Sequence, residues 1–466
     1  MPPDLRGKRV TVVGLARSGV AAARLCAREG ARVTVTDRRP ETELSGALAA
    51  LDGADVRRAL GGHDLADLER ADLVIVSPGV PHASPPIQAA LRRGVPVWGE
   101  TELAARFLGP APIVAITGTN GKSTTTALTG ALLSSHRPTF TGGNLGTPAC
   151  ELVLSGVRAE AVVLELSSFQ IEGLSTLRPR VAAILNVTPD HLDRYADVEA
   201  YALAKARLFG LQEPGDAAVA NARDPRAVAM ARASRGALLT FGFGPPAPLA
   251  ARDPGGEPGA DGATELWASP SGGAPERYRL ANRALRGRHN RENAMAAVLC
   301  ARLAGVPGEL VQRGLDAFPG LPHRLELVSE KGGVEWVNDS KATNVDSTAV
   351  GLAAFPGGAP RVVAIMGGHG KGAPYAPLRA LFAGRVKTLL TIGEDAPKVE
   401  AELGDLCPTE GCGTLREAVR RAARLAARGD VVLLSPACSS YDQFNNYEER
   451  GEAFRRLVAE LAEARG

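Results

Sequence analysis

Short runs of Val and Ile alternate along this chain with longer stretches rich in Ala, Leu and Arg. That alternation constrains the fold more than any other feature of the sequence. A strand apolar on both faces must be covered on both faces, and helices crossing back between parallel strands do this. Strands are expected at 8–14, 31–37, 71–77, 112–118, 160–167, 181–187, 334–338, 361–366, 386–392 and 430–435. Helices are expected at 18–29, 122–134, 291–304, 413–428 and 449–464. The fold class that follows is α/β, with mostly parallel sheets and no internal repeat.

At 466 residues the chain has room for two or three domains. The first α/β unit runs out near Pro96-Val97-Trp98-Gly99, before a helix-like segment leads to Pro110-Ala111-Pro112. A second break falls at Phe318-Pro319-Gly320-Leu321-Pro322. The expected domains are therefore 1–100, 101–320 and 321–466. Ten of the nineteen residues at 244–262 are Gly or Pro, which reads as a surface loop between strands.

Composition mainly excludes. A net charge of +3 gives no general case for nucleic acid or an acidic membrane surface. The chain has no apolar run long enough to span a bilayer and no apolar stretch in MPPDLRGKRV, so neither a span nor a secretory leader is expected. Six dispersed cysteines without a CxxC pair suit a reducing cytoplasm. No zipper pattern is visible, and a monomer is expected. Only eight of the 54 basic residues are lysine. Arginine cannot replace a compact or titratable amine, so lysines inside polar glycine-rich motifs stand out: Lys122, Lys205, Lys341 and Lys371. Lys8, Lys331, Lys387 and Lys398 have no motif around them.

The strongest local signal is Ile113-Val114-Ala115-Ile116-Thr117-Gly118-Thr119-Asn120-Gly121-Lys122-Ser123-Thr124. A strand enters a glycine loop, and Lys-Ser-Thr opens a helix. Main-chain N–H groups of such a loop close around phosphate, Lys122 reaches the β/γ-phosphates, and Ser123 or Thr124 offers a hydroxyl to Mg²⁺. Ile116 stands where a strict Walker A loop needs glycine. Downstream, Glu165 closes a strand in LELSSFQ and reads either as a Mg²⁺ ligand or as a solvated strand-end carboxylate. His191, between Asp190 and Asp193, is a candidate for a second metal or for substrate. Lys205 lies on a helix and reads, on local sequence alone, as a solvent lysine. At the N-terminus, Gly14-Leu15-Ala16-Arg17-Ser18-Gly19 has dinucleotide-loop spacing with Ala16 at the middle glycine, and Asp37 ends the next strand. Either a nucleotide diphosphate held differently or an empty Rossmann-like scaffold fits these residues. Ser77-Pro78-Gly79-Val80 is a second loop at the same edge.

Together the motifs resemble the Mur ligase family, the ATP-dependent amide-forming enzymes of bacterial peptidoglycan synthesis. The resemblance covers essentially the whole chain: GTNGKST at 118–124, Glu165, His191, Lys205, HNREN at 289–293, His323-Arg324 and NDSK at 338–341. LELSSFQ (164–170), DHLDRY (190–195), NDSKATN (338–344) and LSPACSSYDQF (434–444) look like the family's D-glutamate-adding branch. The DNPR-type motif expected of the diaminopimelate-adding branch is absent.

The resemblance implies a UDP-binding domain, a central ATP-binding domain and a C-terminal domain for the incoming amino acid. It implies that Ser18, Asp37, Arg38 and Ser77 hold the uridine diphosphate, with Asn144 and His191 on the muramoyl-alanine part. Gly118, Thr119, Asn120, Gly121, Lys122, Ser123, Thr124, Asn290, Asn293, Arg324, Asp339 and Lys341 would bind ATP. Thr343, Lys371, Ser440 and Tyr447 would hold D-glutamate. Ser123, Glu165 and His191 would serve two Mg²⁺ sites, and Lys205 would be carbamylated by CO₂ to support the second. The implied reaction joins D-glutamate to UDP-N-acetylmuramoyl-L-alanine. The L-alanine carboxylate attacks the γ-phosphate of ATP, and the amine of D-glutamate displaces phosphate from the acyl phosphate.

Three features depart from the family pattern. Tyr447 stands where phenylalanine is expected, His369 stands where an acidic residue is usual, and the 244–262 stretch is longer than needed. The rival readings are another ligase of the superfamily, such as a folylpolyglutamate synthase or the L-alanine-adding Mur ligase, and a nucleotide-binding protein with a decayed site. Retention of Lys122, Glu165, His191, Lys205 and Lys341 argues against decay.

Overall fold

A computed structural model describes residues 2–144, 146–192, 194–244, 250–253, 263–270, 272 and 274–463. Asp193 and most of the Gly/Pro-rich stretch lie outside them. The chain divides into two compact units, Met1–Leu280 with Glu292–Asp316, and Ala281–Arg291 with Ala317–Gly466.

The first unit holds two sheets. One is five-stranded and all parallel, in the order Val56–Leu60, Arg32–Asp37, Arg9–Val13, Leu73–Val76, Val97–Gly99. Its strand order reverses between Arg9–Val13 and Leu73–Val76, so the loops after those two strands diverge and leave a crevice at the carboxyl edge. The other sheet has nine strands. Its parallel core runs Ala237–Phe243, Ala217–Asn221, Val181–Ile184, Ile113–Thr117, Ala161–Glu165, Thr139–Gly143. The central strand Ile113–Thr117 is wholly buried, as its unbroken apolar run requires. The second unit carries one six-stranded sheet, ordered Glu326–Lys331, Val334–Asn338, Val431–Leu434, Val362–Gly367, Val386–Ile392, Thr409–Gly413, with only its first pair antiparallel. Among the described residues no helix is long and apolar enough to cross a membrane.

All ten expected strands and all five expected helices are present, with ends shifted by a few residues. Some strands the sequence hid are polar, such as Val56–Leu60 (VRRAL) at a sheet edge and Thr409–Gly413 (TEGCG), whereas Ala217–Asn221 (AAVAN) and Ala237–Phe243 (ALLTFGF) are mostly apolar and belong to the parallel core. The loop reading of 244–262 needs correction within its described part. Ala251–Asp253 is a strand, paired in parallel with Phe241–Phe243 and antiparallel with Trp267–Ala268. Three residues are enough to bridge a sheet between breakers, and that is below the length at which periodicity can be read.

The first glycine loop depends on close packing. A Cβ on Gly19, in the helix Arg17–Arg28, would stand 1.9 Å from the carbonyl oxygen of Gly14, an immovable backbone atom. Gly19→Ala is expected to destabilise the protein by about 3 kcal/mol. A lowered urea midpoint with an unchanged slope is the expected reading.

Candidate functional site

The phosphate loop is held open by its neighbours. Thr117 ends a strand, Gly118 to Gly121 turn the chain, and the helix Lys122–Ser134 begins with Gly121 at φ +83°. A Cβ on Gly121 would lie 2.3 Å from Asn293 Oδ1, so glycine is required both by conformation and by space. Asn293 Oδ1 also accepts from the Thr125 hydroxyl at 3.3 Å, which brings Asn293 to this loop. Lys122 folds back over the loop and donates to the carbonyls of Gly118 (3.0 Å) and Thr119 (2.7 Å). Ser123 is half-buried at the helix start, and the Thr124 hydroxyl is buried without a hydrogen-bond partner.

Lys205 is not a solvent lysine. It is 1% exposed on the helix Val198–Gly210, where Ala, Leu and Tyr on every side leave no polar face to read. Its ammonium lies 4.5 Å from the Tyr201 ring centroid and donates to the Gly118 carbonyl at 3.1 Å. Lys122 and Lys205 therefore share one oxygen. Burial, and next the Lys122 charge, pull the Lys205 ammonium down to about 7, against Asp190 and Glu165.

Glu165 is 2% exposed, so it is not a solvated strand-end carboxylate. Its Oε1 accepts from Asn144 Nδ2 at 2.7 Å, while Oε2 is buried without a hydrogen-bond partner. An unsatisfied carboxylate oxygen beside a phosphate loop suits a hard cation such as Mg²⁺, which takes few protein ligands and completes its shell with water and phosphate. Among the described residues, no group of three or more His, Cys, Asp or Glu side chains is placed to hold a metal ion. His191 adopts a left-handed backbone at φ +54°; its side chain is 43% exposed, 3.5 Å from Asp190 and 4.8 Å, ring to ring, from Phe169.

A cleft of about 370 Å³ opens at the crevice of the first sheet, lined among others by Ser18, Asp37, Arg38, Ser77, Asn144 and Gln170. All four residues expected to hold the uridine diphosphate thus meet in one cavity, and Asn144 joins it to Glu165. The Ser77 hydroxyl donates to the Gly14 carbonyl at 2.6 Å. Asp37 accepts from the Leu15 amide at 2.8 Å and from Arg39 at 2.9 Å. Burial would raise its pKa, but the Arg39 contact and the Leu15 and Arg39 amides hold it near 2. Arg39, next to the expected Arg38, escaped the sequence reading because adjacent arginines are alike until a backbone orients them.

In the second unit, Asp339, Lys341 and Thr343 follow one strand, Ser440 follows its neighbour, and Lys371 follows the next. Arg450, 1% exposed, ties the first two loops by donating to Ser340 Oγ and the carbonyls of Ser340, Cys438 and Ser439 at 2.9–3.2 Å. Lys341 Nζ lies 5.4 Å from the Tyr447 ring centroid. Lys371 is exposed, and its loop is held by Lys398, which donates to Gly372 and Ala373 carbonyls at 3.1 and 2.9 Å. His369 pairs with Glu394 at 2.8 Å, so an acidic group is present there after all, one loop away. Asn290 donates to the Arg286 carbonyl at 3.0 Å, and Arg324 Nε is buried without a hydrogen-bond partner.

Asp339 is buried, and burial pushes its carboxyl up to about 7 despite the Ser435 hydroxyl and Arg324. The folded state therefore binds its proton more tightly than the unfolded chain between about pH 4 and pH 7, and the stability this gives is lost as pH rises through that window. Asp339→Asn removes the loss. Thermal unfolding is expected to show a gain of a few degrees at pH 8 and a smaller one at pH 5.

Three family patterns match the chain in order. They are Mur ligase MurD-like, N-terminal domain, at residues 8–99; Mur ligase middle domain at 116–301; and Mur ligase, glutamate ligase domain, at 323–438. The chain is 77% identical over 460 residues to the UDP-N-acetylmuramoylalanine–D-glutamate ligase of Anaeromyxobacter dehalogenans, covering 99% of each. It is 52% identical to that of Myxococcus xanthus, covering 98% of this chain and 99% of the relative. Among solved structures, the UDP-N-acetylmuramate-alanine ligase MurC of Thermotoga maritima has the same fold, with a TM-score of 0.60 at 20% identity over 98% of this chain and all of the other. MurF of Acinetobacter baumannii gives 0.60 at 18% identity over 94% of this chain and 86% of the other.

Proposed function

The chain belongs to the Mur ligase family, and from that premise we propose how its residues carry out the reaction. It is an ATP-dependent ligase that adds D-glutamate to UDP-N-acetylmuramoyl-L-alanine in peptidoglycan precursor synthesis. The observation that carries the mechanism is the convergence of Lys122, Lys205 and Glu165 around the Gly118 loop.

The cleft at Ser18, Asp37, Arg38 and Ser77 takes the uridine diphosphate, and Asn144 directs the muramoyl-alanine end towards Glu165. Lys122 leaves its loop carbonyls for the γ-phosphate of ATP and neutralises charge on the transferring phosphoryl group. Asn290, Asn293, Arg324, Asp339 and Lys341 position the nucleotide. The L-alanine carboxylate attacks the γ-phosphorus, giving an acyl phosphate and ADP. The free amine of D-glutamate, held by Thr343, Lys371, Ser440 and Tyr447, attacks the acyl carbon, and inorganic phosphate leaves as the proton is lost. Ser123, Glu165 and His191 would hold Mg²⁺, which would supply positive charge to offset the repulsion of anionic reactants.

Neutral Lys205 Nζ adds to CO₂ and loses a proton, becoming a carbamate; a pKa of about 7 leaves about half of it neutral at pH 7. The enzyme works as a monomer in the cytoplasm, where ATP and UDP-linked precursors are found.

Phosphate release from ATP and UDP-N-acetylmuramoyl-L-alanine tests the specificity. Release is expected with D-glutamate and not with L-glutamate, L-alanine or meso-diaminopimelate. A requirement for any other amino acid, or none, overturns the assignment.

A further inference from the structure

Beyond the paired strands Ile113–Thr117 and Val181–Ile184, the two loops stay joined. Leu185 N donates to the Thr117 carbonyl at 3.1 Å, Thr119 N to the Asn186 carbonyl at 2.9 Å, and Thr188 N to the Thr119 hydroxyl at 3.1 Å. The Asn186 side chain sits inside this seam. Its Oδ1 accepts from Asn120 N at 2.7 Å and Thr119 N at 3.1 Å, and its Nδ2 donates to the Asn120 carbonyl at 3.1 Å. Two N–H groups facing one atom identify that atom as the oxygen.

In a phosphate loop, successive main-chain N–H groups converge on an anion. Here two of them already converge on a neutral carboxamide oxygen. We propose that Asn186 is a positioning residue for nucleotide binding: it occupies the Thr119 and Asn120 amides permanently, pre-forms the loop, and leaves phosphate to the amides at the start of the helix Lys122–Ser134. The loop is thereby ordered on folding, and binding does not have to order it. Asparagine suits this role better than aspartate, which would accept both amides but lose the donor to Asn120 and place a negative charge beside phosphate. The same seam fixes the segment leading to Asp190 and His191, because the next residue, Val187, donates to Asp224 at 2.6 Å.

The inference rests on the nucleotide reading of the loop. The test is calorimetric titration of the full-length wild type, Asn186→Ala and Asn186→Asp with ADP and Mg²⁺, alongside KM values for ATP and D-glutamate. Asn186→Ala removes all three side-chain hydrogen bonds and is expected to weaken ADP binding about 10-fold and to raise the KM for ATP in step. Asn186→Asp is expected to weaken it further. The KM for D-glutamate stays within about twofold, whereas general unfolding would lower kcat and leave both KM values unchanged. Amide exchange gives a reading without variants: the Thr119 and Asn120 amides of the nucleotide-free wild type exchange slowly, and ADP leaves their rates unchanged. Wild type that fails to bind ADP overturns the nucleotide reading itself. Wild type that binds ADP no better than both variants, or that exchanges these two amides rapidly without nucleotide, overturns the role of Asn186.

Discussion

Lys205→Ala is expected to lose at least about 100-fold in kcat, and millimolar acetate or propionate to restore part of it. The Lys205 amine is enclosed between the Tyr201 ring and the Gly118 carbonyl, and an ammonium there competes with Lys122 for the same oxygen. Conversion to a carbamate replaces that repulsion with attraction and supplies an anion. Alanine leaves a space that a small carboxylate fills. Lys205→Arg keeps a positive charge and cannot form the carbamate, so it is expected to be as inactive as the alanine variant and not to respond to acetate. The pH dependence has a definite sign. Only the neutral amine reacts with CO₂, so carbamate formation falls as pH drops through about 7, and added bicarbonate offsets part of the fall. A fully active Lys205→Arg enzyme contradicts this role.

Lys122→Ala is expected to cost about 10³-fold in kcat, comparable to removing another cation that acts on the transferring phosphoryl group. The Lys122 ammonium donates to the Gly118 and Thr119 carbonyls and so is held over its own loop. Because those contacts are local, the substitution should leave the thermal midpoint within a few degrees. It should also leave binding of UDP-N-acetylmuramoyl-L-alanine close to wild type, since the first-sheet cleft does not include Lys122. Steady-state kinetics with a binding titration of the UDP-linked substrate separates these effects. Retention of more than about a tenth of kcat contradicts phosphoryl stabilisation by Lys122.

The sequence carried the frame of the fold and little of its periphery. Strands rich in Val, Ile and Leu, such as Ile113–Thr117 and Val431–Leu434, announce themselves, whereas Ala217–Asn221, equally buried, is hidden by its alanines. Edge strands such as Val56–Leu60 are thinly covered, and the consecutive residues Arg57 and Arg58 are exposed on opposite faces, which breaks the alternation. The strand, glycine turn and helix around Lys122 were legible because an apolar run, two glycines and an Ala/Leu-rich stretch follow one another directly. Lys205 was not legible as a buried amine, since its helix is apolar around most of its circumference and a lone lysine reads as its wet side. Lys398 has no motif around it, yet it holds the loop that carries Lys371. Asn186 and Arg450 share a different reason for being missed. Both act on main-chain groups brought close by sheet topology, and no spacing in the sequence encodes that proximity.

On the proposed mechanism the L-alanine carboxylate is activated by phosphorylation. The most direct measurement uses UDP-N-acetylmuramoyl-L-alanine labelled with ¹⁸O in that carboxylate, with ATP and D-glutamate, and reads the mass of the released inorganic phosphate. One labelled oxygen transferred to phosphate per turnover is the predicted result. Released phosphate without label, alongside full formation of the D-glutamyl product, would contradict the acyl-phosphate route and with it the roles assigned to Lys122 and Lys205.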